Sequence, residues 1–285
     1  MDLLEVATSW GVGAVLLLAG AGLAGRRVAP EYQIVAGWGG LCLVLTLWGV
    51  FVPLSLRLPA SAFIIAAAGV LLTARRPGIE GWRAVGRVLA LSAPLWLVLA
   101  PIRPSQPDTF LNLLPNAAYL VDYARLPTEL LPPSHSLLPG APYNTQFLSF
   151  IGSFVTGDFP AGGMSLINLM LQLVAALAIA RALDTRPGSP ERAPSWSMIA
   201  AGILLVTLLN PGFVPRVALA PYGEPALAVT ALIAALGSVA MQVEEAAGRS
   251  LLPLALALAA LVNTKQSGLG LVAALAGAAI AVAWA

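Results

Sequence analysis

Ile34-Val-Ala-Gly-Trp38-Gly-Gly-Leu-Cys42-Leu-Val-Leu-Thr46-Leu-Trp48-Gly-Val-Phe-Val52 runs through residues 34–52 without a charged side chain. A helix that crosses a bilayer needs about 20 predominantly apolar residues, within a range of about 17–25. This run meets the requirement. Outward from it, similar runs occupy roughly 6–25, 86–103, 162–182, 197–214 and 225–243, with shorter ones at 59–74, 250–264 and 269–285. The pattern predicts an all-α, polytopic transmembrane bundle of about nine spans. Composition agrees: of 285 residues, 59% are hydrophobic and 10% charged, against about 25% charged in soluble domains. A mean hydropathy of +0.86 says the same. The lipid bilayer is therefore the first expected partner.

The net charge of +2 is too small to attract nucleic acid. Cys42 is the single cysteine. It lies inside an apolar run and reads as a small core residue. No Cys/His cluster has metal-ligand spacing, so neither a metal nor another cofactor is expected. The N-terminus carries Asp2 and Glu5 and no basic residue before its apolar run, the wrong charge for a signal peptide. The first run reads as a retained helix. Small-residue stretches such as Gly20–Gly25 and Ala273–Gly277 let helix backbones approach closely in lipid.

One stretch, 145–157, is short and open to three readings: an interfacial helix, a re-entrant helix or a short span. Basic residues arbitrate, because they concentrate on the cytoplasmic side. If 145–157 does not cross, the N-terminus is outside. Arg26, Arg27, Arg75, Arg76, Arg83, Arg87, Arg181, Arg186, Arg192 and Arg249 then fall inside. Arg57, Arg103, Arg125, Arg216 and Lys265 fall outside. If it crosses, the bias vanishes. The non-crossing topology is preferred. It divides the chain into N-terminal transmembrane helices (1–103), an external loop (104–161) and further transmembrane helices (162–285).

Residues 104–142 are rich in proline. Within them Phe110-Leu111, Leu113-Leu114, Ala117-Ala118 and Leu120-Val121 recur with helical spacing. The spacing predicts an amphipathic helix over about 109–125 on the outer membrane surface, with Asp108 or Thr109 as its cap and an extended segment after it.

Ionisable residues at membrane depth are costly and tend to be functional. The topology brings Asp108, Glu224 and Lys265 to outer ends of spans on one face. Each also has a structural reading: a loop cap, a first-turn acid and a snorkelling lysine. His135 reads as an exposed loop residue, and Asp122, Asp158 and Arg125 as ordinary surface charges.

Three stretches together resemble the C-type membrane glycosyltransferases, in particular the bacterial mannosyltransferase-like branch that uses polyprenyl-phosphate sugars. Asp108-Thr-Phe-Leu-Asn-Leu-Leu-Pro-Asn-Ala-Ala-Tyr-Leu, with Leu126-Pro and Pro142-Tyr143-Asn144 after it, looks like their first external loop. Tyr222-Gly223-Glu224-Pro225 is similar to their external acidic hinge, and Thr264-Lys265-Gln-Ser-Gly268-Leu269 to their Lys-x-x-Gly-Leu turn. The resemblance covers about 103–270. Thr109 stands where many members carry a second acid, and three spans precede the one that leads into the loop. Because the chain stops at Ala285 inside an apolar run, the resemblance implies an N-terminal portion of a longer protein.

The resemblance implies transfer of a sugar from a polyprenyl-phosphate donor to a glycan, lipid or protein acceptor, at the periplasmic face of a bacterial inner membrane. Asp108 would be the base. Lys265, with Arg216, would hold the phosphate, and Glu224 would position a sugar or fix Lys265. Tyr222 and His135 complete the expected substrate contacts. Competing readings are a transporter or flippase with an unwound helix at Asn263–Gly268, a polysaccharide polymerase or ligase, and a non-catalytic relative.

Overall fold

A computed structural model describes residues 3–26, 28–73, 79–129, 132–158, 161–184, 192–243 and 251–284. All regular structure among them is helical. The α-helices are α1 Leu3–Ala24, α2 Pro30–Phe51, α3 Arg57–Thr73, α4 Ile79–Leu99, α5 Leu114–Tyr123, α6 Asn144–Thr156, α7 Gly163–Leu183, α8 Trp196–Val206, α9 Gly223–Val243, α10 Leu252–Thr264 and α11 Ser267–Trp284. Two π-helical turns, Thr109–Leu113 and Val214–Ala218, precede α5 and α9. Leu3–Ala24, Pro30–Phe51, Gly81–Leu99 and Gly163–Leu183 are each long and apolar enough to cross a membrane. The chain is thus a membrane protein. The apolar stretches Arg57–Leu72, Trp196–Val206, Gly223–Val239, Leu252–Thr264 and Ser267–Ala281 are shorter.

The bundle is assembled on α2 and α7. α2 packs backbone against backbone on two sides. A Cβ at Gly20 would lie 1.7 Å from the Gln33 carbonyl oxygen, and one at Gly37 2.0 Å from that of Leu16. One at Gly39 would lie 1.9 Å from the Leu256 oxygen. Only glycine permits these approaches, and dispersion between close backbones is what holds helices together in lipid. α7 is apolar nearly all round and is buried along most of its length, as expected of a helix surrounded by others. The other small-residue stretch is not used in this way, since Gly277 meets no neighbouring atom within 4 Å.

The polar contacts divide into two ends. At one end Arg26 donates to the Val70 carbonyl, Arg87 to that of Pro194, and Arg181 to both Glu31 and the Arg192 carbonyl. At the other lie the contacts of Arg57 with Val121 and of Arg103 with Glu5, together with Arg125, Arg216 and Lys265. The described basic residues thus fall into two groups by their contacts. Arg27, Arg75, Arg76, Arg186 and Arg249 lie outside the described residues.

α6 starts near the second end, and the chain is at that end again six residues after α6 stops. The Asn144 side-chain amide donates to the Ala260 carbonyl, one turn before the end of α10. Beyond α6, the Gly162 N–H donates to Glu5 at the start of α1. Residues 143–152 are buried, so α6 up to residue 152 is enclosed by protein, a location that suits a short helix within membrane-embedded protein.

Two local expectations are corrected. The run 197–214 is not one helix: α8 stops at Val206. Asn210 stops it by turning its side chain on the backbone, donating to the Val206 carbonyl and accepting from the Gly212 N–H at 2.9 Å. Nor does Asp108 or Thr109 cap the external-loop helix. Asp108 is already helical, with φ −59° and ψ −26°, and Thr109 is buried with its hydroxyl unbonded among the described residues. The helix opens instead as a π turn. Pro115 has no N–H for the Leu111 carbonyl, and that carbonyl accepts from Leu137 N–H at 3.0 Å. The Pro-rich segment is thereby laced across α5.

Candidate functional site

Three separate stretches of chain meet at the second end of the bundle. The first is Arg103–Asp108, which enters the π turn. The second is residues 212–224, through the other π turn and into α9. The third is the link between α10 and α11. Ser105 N–H donates to the Leu219 carbonyl at 2.8 Å and joins the first two stretches. The buried Asn168 amide of α7 holds the Tyr222 carbonyl at 3.0 Å. Gly223 brings the start of α9 against Thr264: a Cβ there would lie 3.7 Å from the threonine methyl.

On this frame Tyr222 donates its hydroxyl to Asp108 Oδ2 at 3.4 Å. Lys265 Nζ pairs with Glu224 Oε1 at 2.5 Å, with the lysine side chain 50% and the glutamate 32% exposed. Partial burial, then the Asp108 carboxylate and its hydrogen bond, then Glu224, hold the Tyr222 phenol above its usual range; Arg216 opposes them. Asp108, Tyr222, Glu224, Arg216 and Lys265 thus form one electrostatic group. His135 is not joined to it by a bond among the described residues. It is exposed on the segment whose Ser136 and Leu137 bond to Asn112 and Leu111.

Lys265 is extended, at φ −160° and ψ 153°, and ends α10. The chain then reverses. A Cβ on Gly268 would lie 2.2 Å from the Leu261 carbonyl oxygen, so the first turn of α11 folds against the last turn of α10. Only Lys265 and Gln266 stand between the two helices, as a tight turn. Thr109, at the position of the family's second acid, is fully buried. A carboxylate in its place would be enclosed rather than added to the rim.

Beside the polar group lies an apolar groove of about 690 Å³ between α2 and α10, roofed by Leu126-Pro127 and Pro139–Tyr143. Its walls include Leu43, Leu47, Leu258 and Val262. Its polar rim is Asn263, whose amide donates to the Thr46 hydroxyl at 2.8 Å. The Asn263 side-chain Oδ1 is buried and finds no donor among the described residues. The groove thus ends two residues from Lys265. Among the described residues no group of His, Cys, Asp and Glu side chains could hold a metal ion.

Sequence reasoning assembled the charged residues but missed their supports. Asn144 and Asn168 lie in apolar stretches, and a buried amide there is itself a signal, because it must find a partner. Glu5 was noted only for its charge, yet it is the carboxylate that holds Arg103 at 2.9 Å. No family model, no curated protein and no solved structure matches the chain.

Proposed function

We propose that this protein transfers a sugar from a polyprenyl-phosphate donor to an acceptor, as a C-type membrane glycosyltransferase of the bacterial mannosyltransferase-like branch. In this reading the bundle has about nine spans, α5 lies at its external surface, and the reaction occurs at the periplasmic side of the inner membrane. The observation that carries the reading is the juxtaposition of a mixed-charge polar group with an apolar groove at one end of the bundle. Such a site suits an amphipathic substrate: a hydrocarbon chain in the groove and a phosphate-linked sugar at the rim.

The chemistry assigns the parts. Asp108 takes the proton of the attacking acceptor hydroxyl. Its Oδ2 is held by Tyr222, which leaves Oδ1 for the acceptor. Lys265 has one donor engaged by Glu224 and, with Arg216, stabilises the negative charge that gathers on the departing phosphate. Glu224 orients Lys265. Direct displacement inverts the anomeric carbon.

The test is hexose transfer by the protein in nanodiscs supplied with polyprenyl-phosphate hexose, read as release of polyprenyl phosphate. The wild type and Lys265→Arg should release it, and folded Asp108→Asn should not. Full release by Asp108→Asn removes the base assignment. The absence of release from the wild type with every acceptor class removes the reading.

A further inference from the structure

The Asp108–Tyr222 pair depends on two chain segments that approach each other from different parts of the bundle, and both lead back to one buried carboxylate. Glu5, on the first turn of α1, is buried. Its two oxygens accept from Arg103 Nη1, each at 2.9 Å, and Oε1 also accepts from the Gly162 N–H at 3.1 Å. These partners stand 98 and 157 positions away in the chain. Charge-assisted bonds of this kind are among the stronger ones. The fit leaves no room, since a Cβ on Gly162 would lie 2.2 Å from Glu5 Oε2 and 2.3 Å from Arg103 Nη1.

Each partner opens one arm of the pair. Arg103 starts the short segment that ends at Asp108. Gly162 immediately precedes α7, a buried helix whose Asn168 grips the Tyr222 carbonyl. The two arms touch again where Ser105 N–H meets the Leu219 carbonyl. We propose that Glu5 is a positioning residue: through Arg103 and Gly162 it sets the two arms so that Asp108 meets Tyr222. The use of that alignment in catalysis rests on the transferase reading above, whereas the alignment itself is a property of the fold and is measured without a substrate.

The experiment follows the titration of 3-fluorotyrosine incorporated at position 222, by fluorine NMR on the full chain in nanodiscs. The groups that face this phenol are Asp108, Glu224 and Arg216, with Lys265 behind Glu224. In Asp108→Asn the midpoint should fall toward that of an unperturbed fluorophenol. In folded Glu5→Gln it should fall in the same direction. The combined variant should add little, because both substitutions remove one contact. Glu5→Asp, which keeps the charge, should move the midpoint less than Glu5→Gln. Gly162→Ala displaces the same carboxylate by crowding and deletes no charge. It should give the shift of Glu5→Gln, and it decides the matter where Glu5→Gln does not fold. An unshifted midpoint in folded Glu5→Gln or Gly162→Ala, or fully additive shifts in the combined variant, overturns the proposal. The readout is independent of transfer, so a failed transferase reading leaves this test standing, and the reverse also holds.

Discussion

Two of the acid–base pairs, Arg181–Glu31 at one end of the bundle and Lys265–Glu224 at the other, are set in opposite surroundings. At the end that holds Arg26 and Arg192, Glu31 is wholly buried and its partner Arg181 is 19% exposed. Arg181 is also committed to the Arg192 carbonyl. Arg87 beside it is committed to the Pro194 carbonyl and lies over the Trp196 ring at 5.5 Å. These donors tie α2, α4, α7 and the entry to α8 together. At the other end Lys265 and Glu224 are far more open, and their pairing leaves N–H groups for something else. The same two charges are enclosed in the first pair and remain open to solvent in the second.

The comparison can be broken in several places. The largest effect is expected at the open end, where Asp108→Asn should lower transfer by about 10²–10⁴-fold without altering the thermal midpoint; a matching loss of stability would make Asp108 structural. Next comes the closed end. Arg181→Met strands the Glu31 carboxylate in the interior, and losing one partner of a buried pair costs about 3–5 kcal/mol, measured by thermal or denaturant unfolding in detergent. A loss below about 1 kcal/mol would mean that water reaches Glu31. Gly39→Val, where α2 touches α10, should cost about 1–3 kcal/mol by overpacking and should weaken lipid binding, since it forces apart the two walls of the groove. The smallest effect on stability belongs to Lys265→Met. An exposed pair contributes about 0–1 kcal/mol, so the unfolding curve should barely move while function suffers.

Most of the helices were legible because lipid imposes a simple demand on them, about 20 apolar residues in a row. The runs at 6–25 and 34–52 became α1 and α2 with ends displaced by a few residues. The meeting of Asp108, Glu224 and Lys265 at one end was legible for a different reason: alternation of spans determines which loops share a face. What alternation cannot show is which loop residues touch. Tyr222 with Asp108, and Asn168 with the Tyr222 carbonyl, depend on how α7 and α9 rotate about their axes. Helices as uniformly apolar as α7 carry no periodic signal of that rotation. The end of α8 was misread because Leu204–Leu209 stays largely apolar past Val206, where the helix ends and Asn210 caps the carbonyl. Polarity alone does not report the turn.

The central claim is that the open end receives a lipid-linked phosphate through Lys265 and Arg216. Its most direct test is equilibrium binding of polyprenyl phosphate to the protein in nanodiscs, for the wild type and for the double variant Lys265→Met/Arg216→Met. The proposed function predicts saturable binding by the wild type, weakened at least about tenfold in the variant, since one lost charge-assisted bond already contributes about 1.5–3 kcal/mol. Equal affinity in the two folded proteins would contradict it and would place any lipid phosphate elsewhere on the molecule.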